Sequence, residues 1–554
     1  MLVPMKKLLA GLAVACLVLA QGTVDTTTIG RIRSEALEHS QIMHTLHMLT
    51  DRYGPRVTGT PNHELAVAWV IKQYNEWGLK NAHREPWDFG HPGWLNERAS
   101  AFLVAPVQEN LKFEVLAWTP STKGAVTSSV VQLGDIPRGA EIAADPAAAG
   151  RGGRGGRGPQ YKGPTKEQLT AWLDANKGKI NGKMVMFSKA AVIPVNFTAT
   201  ATRSNDDQVK ANYDPNNPGR GGRGNFAGGG RRQADADELS ATAVRDMVDA
   251  WLISGGAVAR INDAARGGGI IVAQQHNAYD PPKTIPTIIL RNDDYGRMER
   301  LLADGEDVKM ELNIVNHVYP EGSTSYNVVG EIPGAGKADE VVMLGGHLDS
   351  WHAATGATDN GIGSTIMMEA ARVIQALNLK PRRTIRVALW SGEEEGLLGS
   401  LAYVKQHFGS AEDPKPEWYK LDCYFNVDTG TGALRGAGIF GPPQAAAALR
   451  PVLHLFEDFG MYGASANGSR NIGGTDSTSF ANAGLPGIGM QQDPIEYNTM
   501  THHTNLDTYE RIIPDDVKRA AAIIAAAVWD VANQPEMIPR FPKDQMPPKP
   551  PAGN

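Results

Sequence analysis

The sequence predicts an α/β protein with a mostly parallel central sheet flanked by helices and an inserted β-rich domain. Two observations carry this. From about residue 325, short apolar runs of strand length alternate with amphipathic helical patterns, the signature of a parallel sheet. Between about 115 and 318 the texture differs, with short β-like runs and two Arg/Gly-rich tracts.

In chain order, Lys6 and Lys7 followed by the apolar run Leu8 to Ala20 read as an export signal, removed after Ala20. The run is short for a membrane span, so no stable membrane insertion is expected after its removal. The protein is expected to be exported, periplasmic or extracellular. Cys16 follows Ala13-Val14-Ala15, a poor lipoprotein site. Removal of residues 1–20 leaves Cys423 as the lone cysteine, so no internal disulfide is expected. Cys423 is expected as a buried packing residue at the start of a strand.

Residues 21–114 form the first part of the main domain. Residues 38–80 are expected to be helical, with Ala66, Trp69, Val70, Tyr74 and Trp77 on one apolar face and Asn62 as N-cap. The insert, 115–318, carries strand candidates at Val126 to Leu133, Lys183 to Phe187, Gly269 to Val272 and Thr287 to Leu290, and a helix from Ala243 to Ser254. Its tracts Arg151 to Arg157 and Gly219 to Arg232 cannot pack a core and are expected as surface loops. Arg/Gly repeats can bind nucleic acid. A net charge of −6, an export signal and the lack of an aromatic platform argue against such a partner here.

Residues 319–536 hold strand candidates at Val341 to Leu344, Thr384 to Trp390 and Tyr424 to Val427. Helices are expected around Ile366 to Leu377, Leu397 to His407 and Ala520 to Val531. The tail, 537–554, is Pro-rich and expected to be extended.

Chemistry concentrates at strand ends. Ligands in open α/β sheets bind beyond the carboxyl ends of the strands. The first strand runs into His347-Leu348-Asp349, the second into Glu393-Glu394-Glu395, the third into Asp428. Imidazole and carboxylate are zinc ligand types. Asp349 is placed to bond the second ring nitrogen of His347. Asp359, in the turn Thr358-Asp359-Asn360-Gly361, has two oxygens with which to bridge two ions. Within the glutamate triplet, one side chain can bind metal while its neighbour faces the substrate water as general base. Thr501-His502-His503-Thr504 supplies a further histidine, and spacing does not choose between His502 and His503.

The motifs Gly345 to Ser350, Asp359-Asn360-Gly361, Gly392 to Ser400 and His503 to Thr508 resemble the co-catalytic zinc exopeptidases of metallopeptidase family twenty-eight. The resemblance covers roughly residues 38–110 and 320–540, and the middle segment looks like a protease-associated insert. It implies a zinc-exopeptidase fold, two zinc ions and a peptide substrate. It also implies His347 and Asp428 on one ion, Glu394 and His503 on the other, Asp359 bridging, Glu393 as general base and Asp349 behind His347. His503 is preferred over His502 on the same ground. Asp476, in Gly474-Thr475-Asp476-Ser477, is expected near the substrate. His352 departs from the resembled enzymes, which carry an acidic residue there, and this bears on the substrate rim. Homodimerisation is compatible with the resemblance. The expected activity is hydrolysis of dipeptides or short peptides at a terminus, with aminopeptidase action on longer peptides as the alternative. A non-catalytic binding protein or a glutaminyl cyclase-type acyltransferase on the same fold are the alternatives of another class.

Overall fold

The computed structural model describes residues 24–139, 141–142, 160–216, 237–275, 279–471 and 474–549. The expected signal segment with Cys16, both Arg/Gly-rich tracts and the last five residues of the tail lie outside the described residues.

The main sheet is built as the strand–helix alternation requires. Its order is Lys80–Asp88, Thr324–Ile332, Arg383–Trp390, Lys337–His347, Leu421–Asn426, Gly487–Gln492, Leu434–Phe440 and Ala464–Asn467. The central strands, from Arg383–Trp390 to Gly487–Gln492, run parallel. The two strands before them pair antiparallel. Both faces are covered, which is why these strands read as unbroken apolar runs rather than as alternating ones. Val342, Leu344, Cys423 and Phe425 join one core. It is closed by Thr26–Glu38, Pro61–Glu76, Ile362–Ala376 and Pro514–Asn533. Their alternate neighbours Val341, Met343 and Tyr424 point the other way, into a smaller core under Leu398–His407 and Ser477–Asn482. Cys423 is buried in its strand, as expected. Among the described residues no helix is long and apolar enough to cross a membrane.

Between Lys80–Asp88 and Thr324–Ile332 the chain makes a second sheet, in the order Glu109–Asn110, Gly93–Ala105, Lys309–Tyr319, Val126–Gln132, Met184–Met186, Ala259–Asp263, Thr287–Leu290 and Phe113–Val115. This second sheet begins before residue 115, the boundary expected for the insert. Gly93–Ala105 pairs along its whole length with Lys309–Tyr319 and belongs to the second sheet. Gly269 to Val272 is not a regular strand either. Val272 makes a single bridge to Thr504, far along the chain.

The helical stretch near residue 38 divides into Ile42–His47, a wider turn Met48–Arg52, and Pro61–Glu76. Thr60, not Asn62, caps the last of these, because Pro61 takes the first helical position, where its missing N–H costs nothing. On this helix His63 is fully buried, with neither ring nitrogen hydrogen-bonded. Burial pushes its pKa down to about 4. The unfolded chain therefore binds a proton that the folded chain refuses. Stability from this group is intact above the ordinary histidine pKa and falls by about 3 kcal/mol as pH drops toward 4. His63→Phe should flatten the acid limb of the stability curve, read as urea midpoints between pH 7 and 4.5. An unchanged pH slope would remove His63 from acid unfolding.

Candidate metal centre

The three strand ends converge where the pattern puts them. His347 closes Lys337–His347, Asp428 lies two residues beyond Leu421–Asn426, and Glu393 and Glu394 follow Arg383–Trp390. The turn at Gly392 needs glycine, since φ is +69° and a Cβ would sit 2.6 Å from the Trp87 ring. The turn Ala357–Gly361 carries Asp359 into the same space.

Asp359 sits at the centre. Its Oδ1 lies 3.3 Å from His347 Nε2, and its Oδ2 lies 3.1 Å from His503 Nε2. His347 Nε2 is also 3.3 Å from Asp428 Oδ1. His503 Nε2 is 2.9 Å from Glu394 Oε2. His502 Nε2 stands further off, 3.8 Å from Asp359. The geometry thus favours His503 where spacing alone did not choose. Glu393 Oε2 is 3.8 Å from His347 Nε2 and more exposed than Glu394.

The surroundings hold these groups in place. Asp507, in the His503 loop, accepts hydrogen bonds from the backbone N–H of Thr358 at 2.6 Å and of Asp359 at 3.1 Å. Asp349 is buried. Its backbone carbonyl lies 3.1 Å and its carboxylate 3.5 Å from His347 Nδ1. The Asp349 carboxylate also accepts from Thr58 Oγ1 and from the Glu394 backbone N–H, both at 3.2 Å. Arg56 is fully buried beneath the site. It donates to the carbonyls of Leu348, Leu49, Thr355 and Gly356, tying the loop after His347 to the turn that carries Asp359.

Charge defines the chemistry. Burial and neighbouring carboxylates raise the pKa of Glu393, hold Glu394 at about 7 and Asp507 at about 7. Against the cost of burial, Glu394 and Asp359 push His503 up to about 11. Glu394 Oε1 is buried with no hydrogen-bond partner. A bound cation would offset the charge of these buried carboxylates. Mixed imidazole and carboxylate donors fit zinc. Three groupings bring ligand atoms within 4.8 Å of one another: His347, Glu393 and Asp428; His347, Asp359 and Glu394; Asp359, His502 and His503. A small depression, with room for about one water, is lined by Trp351, Asp359, Glu394 and His503.

Asp476 is fully buried, and burial raises its pKa to about 8; its carboxylate lies close enough to Glu393, His347 and Asp428 to interact with them electrostatically. His352 turns into the second sheet, with Nε2 at 2.6 Å from the Val115 carbonyl and its ring edge-on to Trp94. A substitution there alters the contact between the two sheets.

Sequence reasoning missed one residue. The side-chain amide of Gln274, in the insert, lies 2.7 Å from His503 Nδ1. No local pattern marks it, because its partner is 229 residues away.

Residues 327–528 match peptidase family M28. Carboxypeptidase Q of Mus musculus is 33% identical over 522 residues, covering 94% of this chain and 90% of that protein. The crystal structure of a peptidase M28 precursor from Shewanella amazonensis SB2B superposes with a TM-score of 0.61 at 23% identity, over 93% of this chain and 98% of that one. A zinc aminopeptidase from Bacillus subtilis shares the fold at TM-score 0.51 and 16% identity, over 89% of this chain and 95% of that one. Sequence and fold together place the chain in peptidase family M28.

Proposed function

We propose that this peptidase is an exported two-zinc exopeptidase that hydrolyses dipeptides or short peptides at a terminus. The observation that carries the reading is Asp359, whose two oxygens face two different histidines. His347, Asp359 and Asp428 would hold one ion, and Asp359, Glu394 and His503 the other. Bound there, the ions supply Lewis acidity, which makes water a nucleophile near neutral pH and stabilises charge developing on the scissile carbonyl.

The protein's own groups do the rest. Glu393 takes the proton of the attacking water and returns it to the departing amine nitrogen. Asp349 keeps the His347 ring in orientation and, through the Glu394 backbone N–H, fixes the turn from which both glutamates project. Trp351, edge-on to the His503 ring, walls the depression and limits water access. Carboxypeptidase Q of Mus musculus, a relative similar over most of the chain, supports cleavage at a peptide terminus. Removal of residues 1–20 on export, and assembly as a homodimer, belong to the same proposal.

Zinc-dependent cleavage of free, N-blocked and C-amidated dipeptides tests it, with chelated protein as control. Hydrolysis only where both termini are free is the expected result. Cleavage of amidated but not N-blocked peptides would make the protein an aminopeptidase, and the reverse a carboxypeptidase. Zinc-loaded protein that cleaves none of them would overturn the exopeptidase reading.

A further inference from the structure

The two histidines of the metal centre are oriented in different ways. The Nδ1 of His347 faces groups of its own loop, the carbonyl and carboxylate of Asp349. The Nδ1 of His503 faces the side-chain amide nitrogen Nε2 of Gln274, at 2.7 Å. Gln274 belongs to the chain segment between the strands Ala259–Asp263 and Thr287–Leu290 of the second sheet.

This contact belongs to a continuous seam. The Ala273 N–H donates to the His503 carbonyl at 3.3 Å, and Val272 bridges Thr504 in antiparallel fashion. Asn505 N–H donates to the Ile271 carbonyl at 3.0 Å, while the Asn505 side chain accepts from Ile271 N–H at 2.9 Å and donates to the Gly269 carbonyl at 3.2 Å. At the other end, the Gln274 carbonyl accepts from Ala117 N–H at 3.1 Å. The seam grips His503 where its backbone is least comfortable. Its φ of 59° lies in the left-handed region, which a non-glycine residue holds only when its surroundings impose it.

From this arrangement we propose that Gln274 is a positioning residue for His503, and that the inserted domain is thereby a working part of the metal centre. The inference rests on the two-zinc reading above. For Nε2 to offer its lone pair to a cation, a neutral ring must keep its proton on Nδ1, and that N–H needs an acceptor. The Gln274 amide oxygen is that acceptor once the amide is turned with Oε1 toward the ring; its two ends exchange by a half-turn. Partners of this kind fix tautomer and ring angle, and their loss typically costs about 10–100-fold in metal affinity.

Zinc affinity, measured by competition with a chromophoric chelator, tests this in the wild-type protein, Gln274→Met and Gln274→Glu. Methionine keeps the length of the side chain and removes the acceptor; glutamate keeps the acceptor. Gln274→Met should weaken one of two ions by about 10–100-fold and spare the other, while Gln274→Glu should restore both. In the zinc-loaded wild type, long-range 1H–15N spectra should show His503 as a single Nδ1–H tautomer. Wild-type affinity for both ions in Gln274→Met overturns the assignment. So does equal weakening in both variants, which would make the residue a packing element only. A wild-type protein that takes up no zinc removes the two-zinc reading itself, and this inference with it.

Discussion

Glu393→Gln should retain both zinc ions and lose about 10²- to 10⁴-fold in kcat, the range over which a positioned proton acceptor contributes. Glutamine fills the same space and keeps an acceptor oxygen, but cannot take a proton. The triplet Glu393-Glu394-Glu395 follows a strand end and splits in direction. Glu394 turns inward to lie 2.9 Å from His503. Glu393 stays more exposed, on the His347 side, with Oε2 at 3.8 Å from Nε2. Burial, Asp428, Asp476 and Glu394 all push its pKa up. That shift belongs to the metal-free site; what suits Glu393 to take a proton is its position, less buried than Glu394 and not drawn onto a histidine. Initial rates on a cleaved dipeptide, with zinc content measured on the same preparation, check the expectation. Near-normal turnover would take Glu393 out of the reaction. A loss of rate that tracks a loss of zinc would make it a ligand instead, consistent with its grouping with His347 and Asp428.

The parts of this site legible in the sequence are those that local structure delivers. His347, Glu393, Glu394 and Asp428 each follow an apolar run that could only be a buried strand, and a parallel sheet puts such ends at one edge. The parts that were not legible depend on contacts between distant segments. Choosing between His502 and His503 needs the path of a loop that is left-handed at His503 and pairs with the insert. Asp507 stands in a recognisable motif, but its work is done on the N–H groups of Thr358 and Asp359. Gly269 to Val272 has strand composition, yet spends its backbone hydrogen bonds on the His503 loop rather than on a sheet. The sheet to which residues before 115 belong was not legible for a related reason. Gly93–Ala105 has the texture of any strand, and only its pairing with Lys309–Tyr319 assigns it to the second sheet.

Asp359→Asn should release both ions together, a larger effect than loss of any single terminal ligand. Each Asp359 oxygen faces its own histidine, at 3.3 Å and 3.1 Å. Asparagine keeps one oxygen and turns an NH2 group toward the other position, where it repels a cation instead of binding it. The lost negative charge also weakens the position that keeps an oxygen, because one carboxylate had served both. The Thr358 and Asp359 N–H groups remain tied to Asp507, so the turn should hold and the defect should be in metal binding rather than folding. Asp428→Asn is the control. Asp428 lies 3.3 Å from His347, so its replacement should weaken the ion on that side and leave the one held by Glu394 and His503. Zinc titration of the metal-free proteins, followed by calorimetry, separates the cases. In Asp359→Asn both affinities should fall well beyond the roughly 10–100-fold that loss of an outer hydrogen-bond partner costs. Retention of one ion at wild-type affinity would show that Asp359 serves a single site, and the paired arrangement of His347 and His503 would then need another explanation.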